Sequence, residues 1–378
     1  MDPEYLLLTS GPPGTTASVR AAMNRDVSTC NVDYNTVVEQ IRRQLVSLVA
    51  GGSEATSVLM QGSGTFGVEA TLGTVVPRSG GLLVVNNGAY GGRMLEIARR
   101  IGLSTVEVAF EETEPASADR VVKALKINPQ LTHVAAVLCE TTSGMLNPIE
   151  AIGQAVADCG RSFIVDAMSS FGGIPMTLET LAADYLLSLS NKCIQGAPGF
   201  SFVLARPDAI ASTQGQAHSL ALDLHAQWAE MEAHHGKSRS TSSTHTLLAF
   251  AQALEELEAE GGVAARAQRY TRNQHRLVEG MREIGFETLL GDELQSPIIT
   301  AFHDPVDNFD FATFYDLLKR HGCVIYPGQV TQANTFRIGT IGDVHSEDIQ
   351  RLLSAVSHVT DQMGLFCEST ATGNEAGS

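Results

Sequence analysis

Between residues 55 and 205 the chain alternates short apolar runs with longer segments of helical periodicity. The runs are Ser57–Met60, Leu82–Val85, Val106–Phe110, Val134–Cys139, Phe163–Asp166, Tyr185–Leu189 and Phe202–Ala205. They are mostly unbroken rather than alternating, which predicts strands covered on both faces. Segments such as Arg93–Ile101 and Ala151–Cys159 place apolar residues at helical spacing. Strand and helix in alternation predict an α/β fold with a mostly parallel seven-stranded sheet. The last two runs lie too close together for a long helix between them, so the final strand is expected to be antiparallel.

After Arg206 the pattern changes. Thr246–Glu260 and Gly262–Ile284 read as long helices. Pro297–Phe302, Val324–Tyr326 and Thr335–Gly339 read as strands, with helices over Phe309–His321 and from His345 to about Gln362. Residues 1–50 read as an arm followed by a helix over Tyr34–Val49. The expected division is a large domain over 15–260 and a smaller α+β domain from 1–14 and 261–366. The low-complexity end, 367–378, is expected to be a disordered tail.

Composition narrows the function. The 378 residues carry 25 Lys+Arg against 42 Asp+Glu, a formal net charge of −17. Such a surface repels nucleic acid and anionic membrane. Any anionic ligand must be held by a few local donors. No run reaches the roughly 18 apolar residues of a membrane span. The opening Met-Asp-Pro-Glu lacks the basic-then-apolar order of a secretory signal, so a cytoplasmic chain is expected. The six cysteines are scattered without metal-ligand spacing, and no metal is expected. Cys193 reads as a thiol packed near a site rather than as a nucleophile.

Four segments carry candidate chemistry. Gln61-Gly62-Ser63-Gly64-Thr65-Phe66-Gly67 follows a strand and precedes an expected amphipathic helix. Its glycines allow a tight turn whose amides and hydroxyls face an anion. The string matches a dinucleotide fingerprint, but the next strand ends in Asn86-Asn87-Gly88 with no ribose-binding acid. Ser63 and Thr65 suit a single terminal phosphate better; a capped turn without ligand is the plainer alternative. Asp166 ends the Phe163–Asp166 run, where open α/β sheets bind ligands, or it caps the segment that follows. Lys192 follows the next strand and is either a solvated lysine or an amine that bonds an aldehyde cofactor. Arg337, in Thr335–Gly339, is either a fork for a carboxylate or phosphonate or a surface residue of an edge strand.

A phosphate cup, an acid on one strand end and a lysine on the next jointly suit pyridoxal 5'-phosphate. The cup takes the phosphate, the acid pairs with the ring N–H, and the lysine bonds the aldehyde. Tyr90, after another strand end, either stacks on the ring or packs in its loop.

These segments resemble the 2-aminoethylphosphonate:pyruvate aminotransferases, within the class-V group of fold-type-I pyridoxal phosphate enzymes. The likeness spans about residues 5 to 360. It is carried by Gln61–Phe66, Asn87–Gly91, Cys139–Pro148, Val165–Gly173, Asn191–Gly196, Gln295–Phe302, Val324–Gly328 and Phe336–Gly339. The resemblance implies that Lys192 is the Schiff-base lysine and Asp166 the partner of the ring nitrogen. Ser63, Gly64 and Thr65 would hold the cofactor phosphate, with Tyr90, Thr142 and Met168 around the ring. Thr241 would reach across a homodimer interface to the neighbour's cofactor phosphate. Arg337 and Gly11 would meet the substrate. The implied reaction turns 2-aminoethylphosphonate and pyruvate into phosphonoacetaldehyde and L-alanine.

The chain departs from that family at its arm and its entrance. It has Thr9-Ser10-Gly11-Pro12 where the family usually reads Thr-Pro-Gly-Pro, and Val27 and Cys30 near two usual tryptophans. Around Thr241 it reads Lys-Ser-Arg-Ser-Thr-Ser-Ser-Thr-His in place of Lys-Trp-Arg-Phe-Thr-Ser-Pro-Thr-His. These changes bear on the amine donor more than on the reaction class. Competing readings are a class-V transaminase or lyase for another small amine, a dinucleotide-dependent oxidoreductase using Gly62, Gly64 and Gly67, and a non-catalytic interaction protein.

Overall fold

The seven apolar runs form one sheet in the computed structural model, which describes residues 5–52 and 54–366. The expected tail, 367–378, lies outside the described residues. Across the sheet the strands run Thr56–Gln61, Phe200–Ala205, Tyr185–Leu189, Ser162–Asp166, His133–Val137, Gly81–Asn86 and Ser104–Ala109. Phe200–Ala205 is antiparallel to both of its neighbours, and the other pairings are parallel. The reason is connection length: the Tyr185–Leu189 and Phe200–Ala205 strands are joined by a loop too short for a crossover helix. The sheet is therefore mixed, and its parallel centre carries Asp166 at a strand end.

Two local expectations change. The Val134–Cys139 run divides: His133–Val137 stays in the large sheet, while Cys139–Glu140 pairs with Met145–Leu146 in a small hairpin. Leu138 N–H still donates to Asp166 O, so the hairpin hangs from the end of the parallel sheet. The helix after Gly62 is not amphipathic. Gly64–Val75 is buried at Gly67, at Val68 and at every position from Ala70 to Val75. A helix covered on all sides needs no polar face.

Two hydrophobic cores are present. One lies around the large sheet; the other gathers Leu8, Phe302, Phe314, Phe336, Ile338 and Val356 among others. The helix Gly262–Ile284 enters both, with Tyr270 in the first and Leu277, Val278 and Met281 in the second. Each fully buried aliphatic or aromatic side chain contributes about 1.5–3 kcal/mol. The second core packs a three-stranded sheet with Thr335–Gly339 at its centre, between Ile299–His303 and Tyr326–Pro327. The apolar run around Val324 forms two short strands. Cys323–Val324 pairs with Leu6–Leu7 of the arm, and Tyr326–Pro327 pairs with Thr335–Gly339.

Among the described residues no helix is long and apolar enough to cross a membrane. Among the same residues the five cysteines are free, and no cluster of His, Cys, Asp and Glu could hold a metal. His234 and His235 are exposed in their turn.

Candidate active site

Lys192 lies in the loop that follows the Tyr185–Leu189 strand, after Ser190 and Asn191. That loop is fastened from behind by the long helix Gly262–Ile284. Arg266 Nη1 donates to Cys193 O at 2.7 Å, and Tyr270 OH donates to the same carbonyl at 3.3 Å. Gln195, at φ 68°, adopts a left-handed backbone and donates from Nε2 to Tyr270 OH at 2.8 Å. The lysine thus projects from an anchored turn. Its Nζ donates to Ser10 O at 2.7 Å. Burial lowers its pKa to about 8, since desolvation disfavours the ammonium form. Cys193 is fully buried, donates to Ser169 O, and burial pushes its thiol far up, so it is not a reactive nucleophile.

Asp166 ends the Ser162–Asp166 strand and is 5% exposed. Among the described residues its carboxylate accepts one hydrogen bond, from Met168 N–H at 2.9 Å. Burial pushes its pKa up to about 7, and the nearby Glu140 charge adds to that rise. Such a carboxylate is under-supplied with donors and suits a cationic N–H partner.

A cavity of about 180 Å³ connects these two groups. Ser63, Gly64 and Thr65 line it at the start of the helix Gly64–Val75. Ser63 occupies the capping position, yet its side chain makes no capping bond. The hydroxyl and first-turn amides are therefore free to meet an anion. Gly64 is closely packed: a Cβ there would lie 3.0 Å from Met168 Sδ. Tyr90 and Arg93 line the opposite side, with the Arg93 guanidinium 5.1 Å from the Tyr90 ring centroid.

Thr142 is fully buried, and its Oγ1 donates to Glu140 Oε1 at 2.7 Å. The preceding residue, Thr141, gives its carbonyl to Arg337 Nη1 at 2.8 Å. Arg337 is 3% exposed and lies on a central strand, which removes the reading of an edge-strand surface residue. Its Nε donates to Pro327 O at 3.0 Å, and burial lowers its pKa. Its guanidinium lies 5.6 Å from the Tyr326 ring centroid, and Tyr326 OH donates to Gly11 O at 2.8 Å. Gly11, at φ 131°, lies against Lys192: a Cβ there would overlap Nζ, Cδ and Cε of the lysine.

Ser63, Gly64, Thr65, Tyr90, Asp166, Met168 and Lys192 thus share one cavity, with Gly11 packed on the lysine. Thr241 is elsewhere. It lines a larger cavity of about 710 Å³ together with Phe66, Leu220 and Arg239. Sequence reasoning overlooked Ser10, Arg93 and Glu140 as parts of the site. Glu140 carried a signal of the same kind as Asp166, an acid just past the end of a buried parallel strand. Ser10 acts through its carbonyl, which side-chain identity does not reveal.

The donor set fits pyridoxal phosphate: an uncapped helix start, a buried acid short of donors, and a lysine with a lowered pKa at the same cavity. The family model for class-V aminotransferases matches residues 16–352. The chain belongs to the class-V aminotransferases. This class-V aminotransferase is 54% identical over 361 residues to the 2-aminoethylphosphonate–pyruvate transaminase of Syntrophobacter fumaroxidans, covering 95% of this chain and 97% of that protein. It is 53% identical over 356 residues to the transaminase of the same name from Vibrio cholerae serotype O1, covering 94% and 97%. Among solved structures, it is similar to an alanine–glyoxylate aminotransferase from Nostoc sp. The TM-score is 0.88 at 25% identity, covering 95% of this chain and 96% of that one. The architecture is accordingly that of the fold-type-I aminotransferases.

Proposed function

We propose that this aminotransferase moves the amino group of 2-aminoethylphosphonate to pyruvate, giving phosphonoacetaldehyde and L-alanine. The observation that carries this reading is the meeting of Lys192, Asp166 and the uncapped Ser63–Thr65 turn at one cavity, with Arg337 on the adjoining Thr141 carbonyl. The identity to relatives that bear this activity in their names supports the choice of substrates.

Pyridoxal phosphate, when bound, supplies an aldehyde that takes up amines and a ring that accepts the electron pair released at the amine carbon. Lys192 would hold the aldehyde through Nζ. Its lowered pKa leaves a usable share of neutral amine near neutral pH. Freed by the substrate amine, Nζ would take the proton from the substrate's amine carbon as base and deliver it as acid to the carbon that was the cofactor's aldehyde. Asp166 would hold the proton on the ring nitrogen, an arrangement that relieves its own burial. Ser63, Gly64 and Thr65 would bind the phosphate through amides and hydroxyls. Tyr90, Thr142 and Met168 would orient the ring.

Arg337 would bind the anionic end of each substrate. Two of its N–H groups are committed to the Thr141 and Pro327 carbonyls, which aims the rest of the fork. Gly11 would leave room beside Lys192 for the substrate. An enzyme of net charge −17 thereby handles phosphate and phosphonate by local geometry instead of a basic field.

The active unit would be a cytoplasmic homodimer. Phe66 is 52% exposed and Leu220 84%, and both line the cavity that holds Thr241. Apolar side chains so placed suit coverage by a second copy, whose phosphate cup Thr241 would then reach.

The test is a donor panel with pyruvate as acceptor. Alanine should form from 2-aminoethylphosphonate, and the visible band of the bound cofactor should bleach with the donor and return with pyruvate. Alanine formed from serine or glycine, and not from 2-aminoethylphosphonate, would replace the substrate assignment. A protein that takes up no pyridoxal phosphate would remove the whole reading.

A further inference from the structure

Glu140 is a fully buried acid at this site that the proposed reaction does not use. Its Oε2 accepts from Tyr90 N–H at 3.1 Å. Its Oε1 accepts from Thr142 Oγ1 at 2.7 Å and from Thr142 N–H at 3.3 Å. Tyr90 stands in the first turn of the helix Ala89–Arg100, whose capping residue is Gly88. Glycine has no side chain with which to cap, so the open amides at this helix start take their acceptor from a different segment. The close approach is built into the backbone: a Cβ on Gly88 would lie 2.5 Å from Glu140 Cδ.

One carboxylate therefore ties two separate elements together. One carries Tyr90 and the other carries Thr142, two residues assigned above to the cofactor ring. We propose that Glu140 is a positioning residue that fixes Tyr90 and Thr142 relative to one another and so sets the orientation of the bound cofactor. The inference rests on the pyridoxal phosphate reading of the site. A carboxamide would meet the donors only in part, because the amides of Tyr90, Gly91 and Thr142 and the Thr142 hydroxyl converge on two oxygens and no donor is needed in return. Burial raises the pKa of Glu140, and the donors gathered on its oxygens from Thr142, Tyr90 and Gly91 oppose that rise.

The experiment compares the wild-type holoenzyme with Glu140→Gln and Gly88→Ala. The first keeps the shape and replaces one acceptor oxygen by a donor. The second keeps the acid and crowds it from behind; its backbone at φ 170° is extended and accepts a side chain. Both variants should bind pyridoxal phosphate about tenfold more weakly, the scale of one lost charge-assisted hydrogen bond. Both should change the visible circular dichroism of the bound cofactor at saturation and lower kcat more than they raise KM. A residue that only stabilises the fold would lower the melting temperature and leave the dichroism of the bound cofactor unchanged in both variants; that result overturns the proposal. The wild-type control separates the two levels. If wild-type protein forms no visible band that Lys192→Ala removes, the cofactor reading itself fails. If that band is normal and neither variant alters it, only the role of Glu140 fails.

Discussion

The Nζ of Lys192 donates a 2.7 Å hydrogen bond to the backbone carbonyl of Ser10. An amine of the large sheet is thus capped by a segment of the N-terminal arm, and the next residue in that arm is a glycine packed on the same side chain.

Gly11→Ala tests that contact. The new Cβ would overlap three atoms of Lys192, and φ 131° is a region that side chains rarely adopt. We expect kcat to fall by roughly 10- to 100-fold, as for a displaced reacting group. Circular dichroism in the far ultraviolet should stay native. Unchanged kcat would show that the arm does not constrain the lysine.

Asp166 predicts a pH dependence of stability in the cofactor-free protein. Burial raises its pKa from 3.8 to about 7, so the folded state binds more protons than the unfolded chain between those values. Stability from this group is complete below about pH 4 and is lost as pH rises through about 7. The loss is at most about 4 kcal/mol. Lys192 has the opposite sense: its depressed pKa makes stability recover between about pH 8 and 10.5. Melting temperatures of apo wild type and Asp166→Asn should therefore diverge from pH 5 to pH 7.5, with wild type falling further. Parallel curves would contradict the raised pKa.

Arg337→Lys keeps the charge and removes the fork. Lysine cannot hold the Thr141 and Pro327 carbonyls and also present two aligned donors. The KM for both 2-aminoethylphosphonate and pyruvate should rise roughly 10- to 100-fold, the scale of a lost charge-assisted pair. The absorbance of the bound cofactor should be unaffected. A rise for one substrate alone would assign the other to a different anchor.

Thr241 permits a mixing test of the proposed dimer. Lys192→Ala and Thr241→Ala proteins should each be inactive or weak under limiting cofactor. Unfolded and refolded together, half of the dimers would be mixed, and each mixed dimer would hold one intact site. About a quarter of wild-type activity should return. No recovery would place Thr241 outside the neighbour's site.

Much of the architecture was legible because buried parallel strands leave unbroken apolar runs. All seven strands of the large sheet overlap the apolar runs, although Ser104–Ala109, at one edge, is mostly exposed and carries Glu107, and the short link before Phe200–Ala205 foretold its reversed direction. The hairpin Cys139–Glu140 was not legible, because it continues the apolar run of His133–Val137 without a break and only its pairing with Met145–Leu146 sets it apart. The helix Gly64–Val75 misled because its polar letters, Thr71 and Thr74, are buried by neighbours far away in the chain. At the site, Lys192, Asp166 and the Ser63–Thr65 turn were visible as strand-end residues. Ser10, Arg93 and Glu140 were not, since their part depends on which loops meet in space. Glu140 in particular is defined by a glycine at position 88 that leaves it room.

The arm has a mechanical consequence. Leu8 N–H donates to Val324 O, and Leu8 O accepts from Gly339 N–H. Tyr326 OH reaches Gly11 O from the same small sheet that holds Arg337. The segment that covers the lysine and the strand that carries Arg337 are therefore tied to one small sheet. Under the roles proposed for Arg337 and Lys192, grip on the substrate and access to the amine would not be adjusted independently, and a change that loosens the arm's pairing would alter selectivity and turnover together.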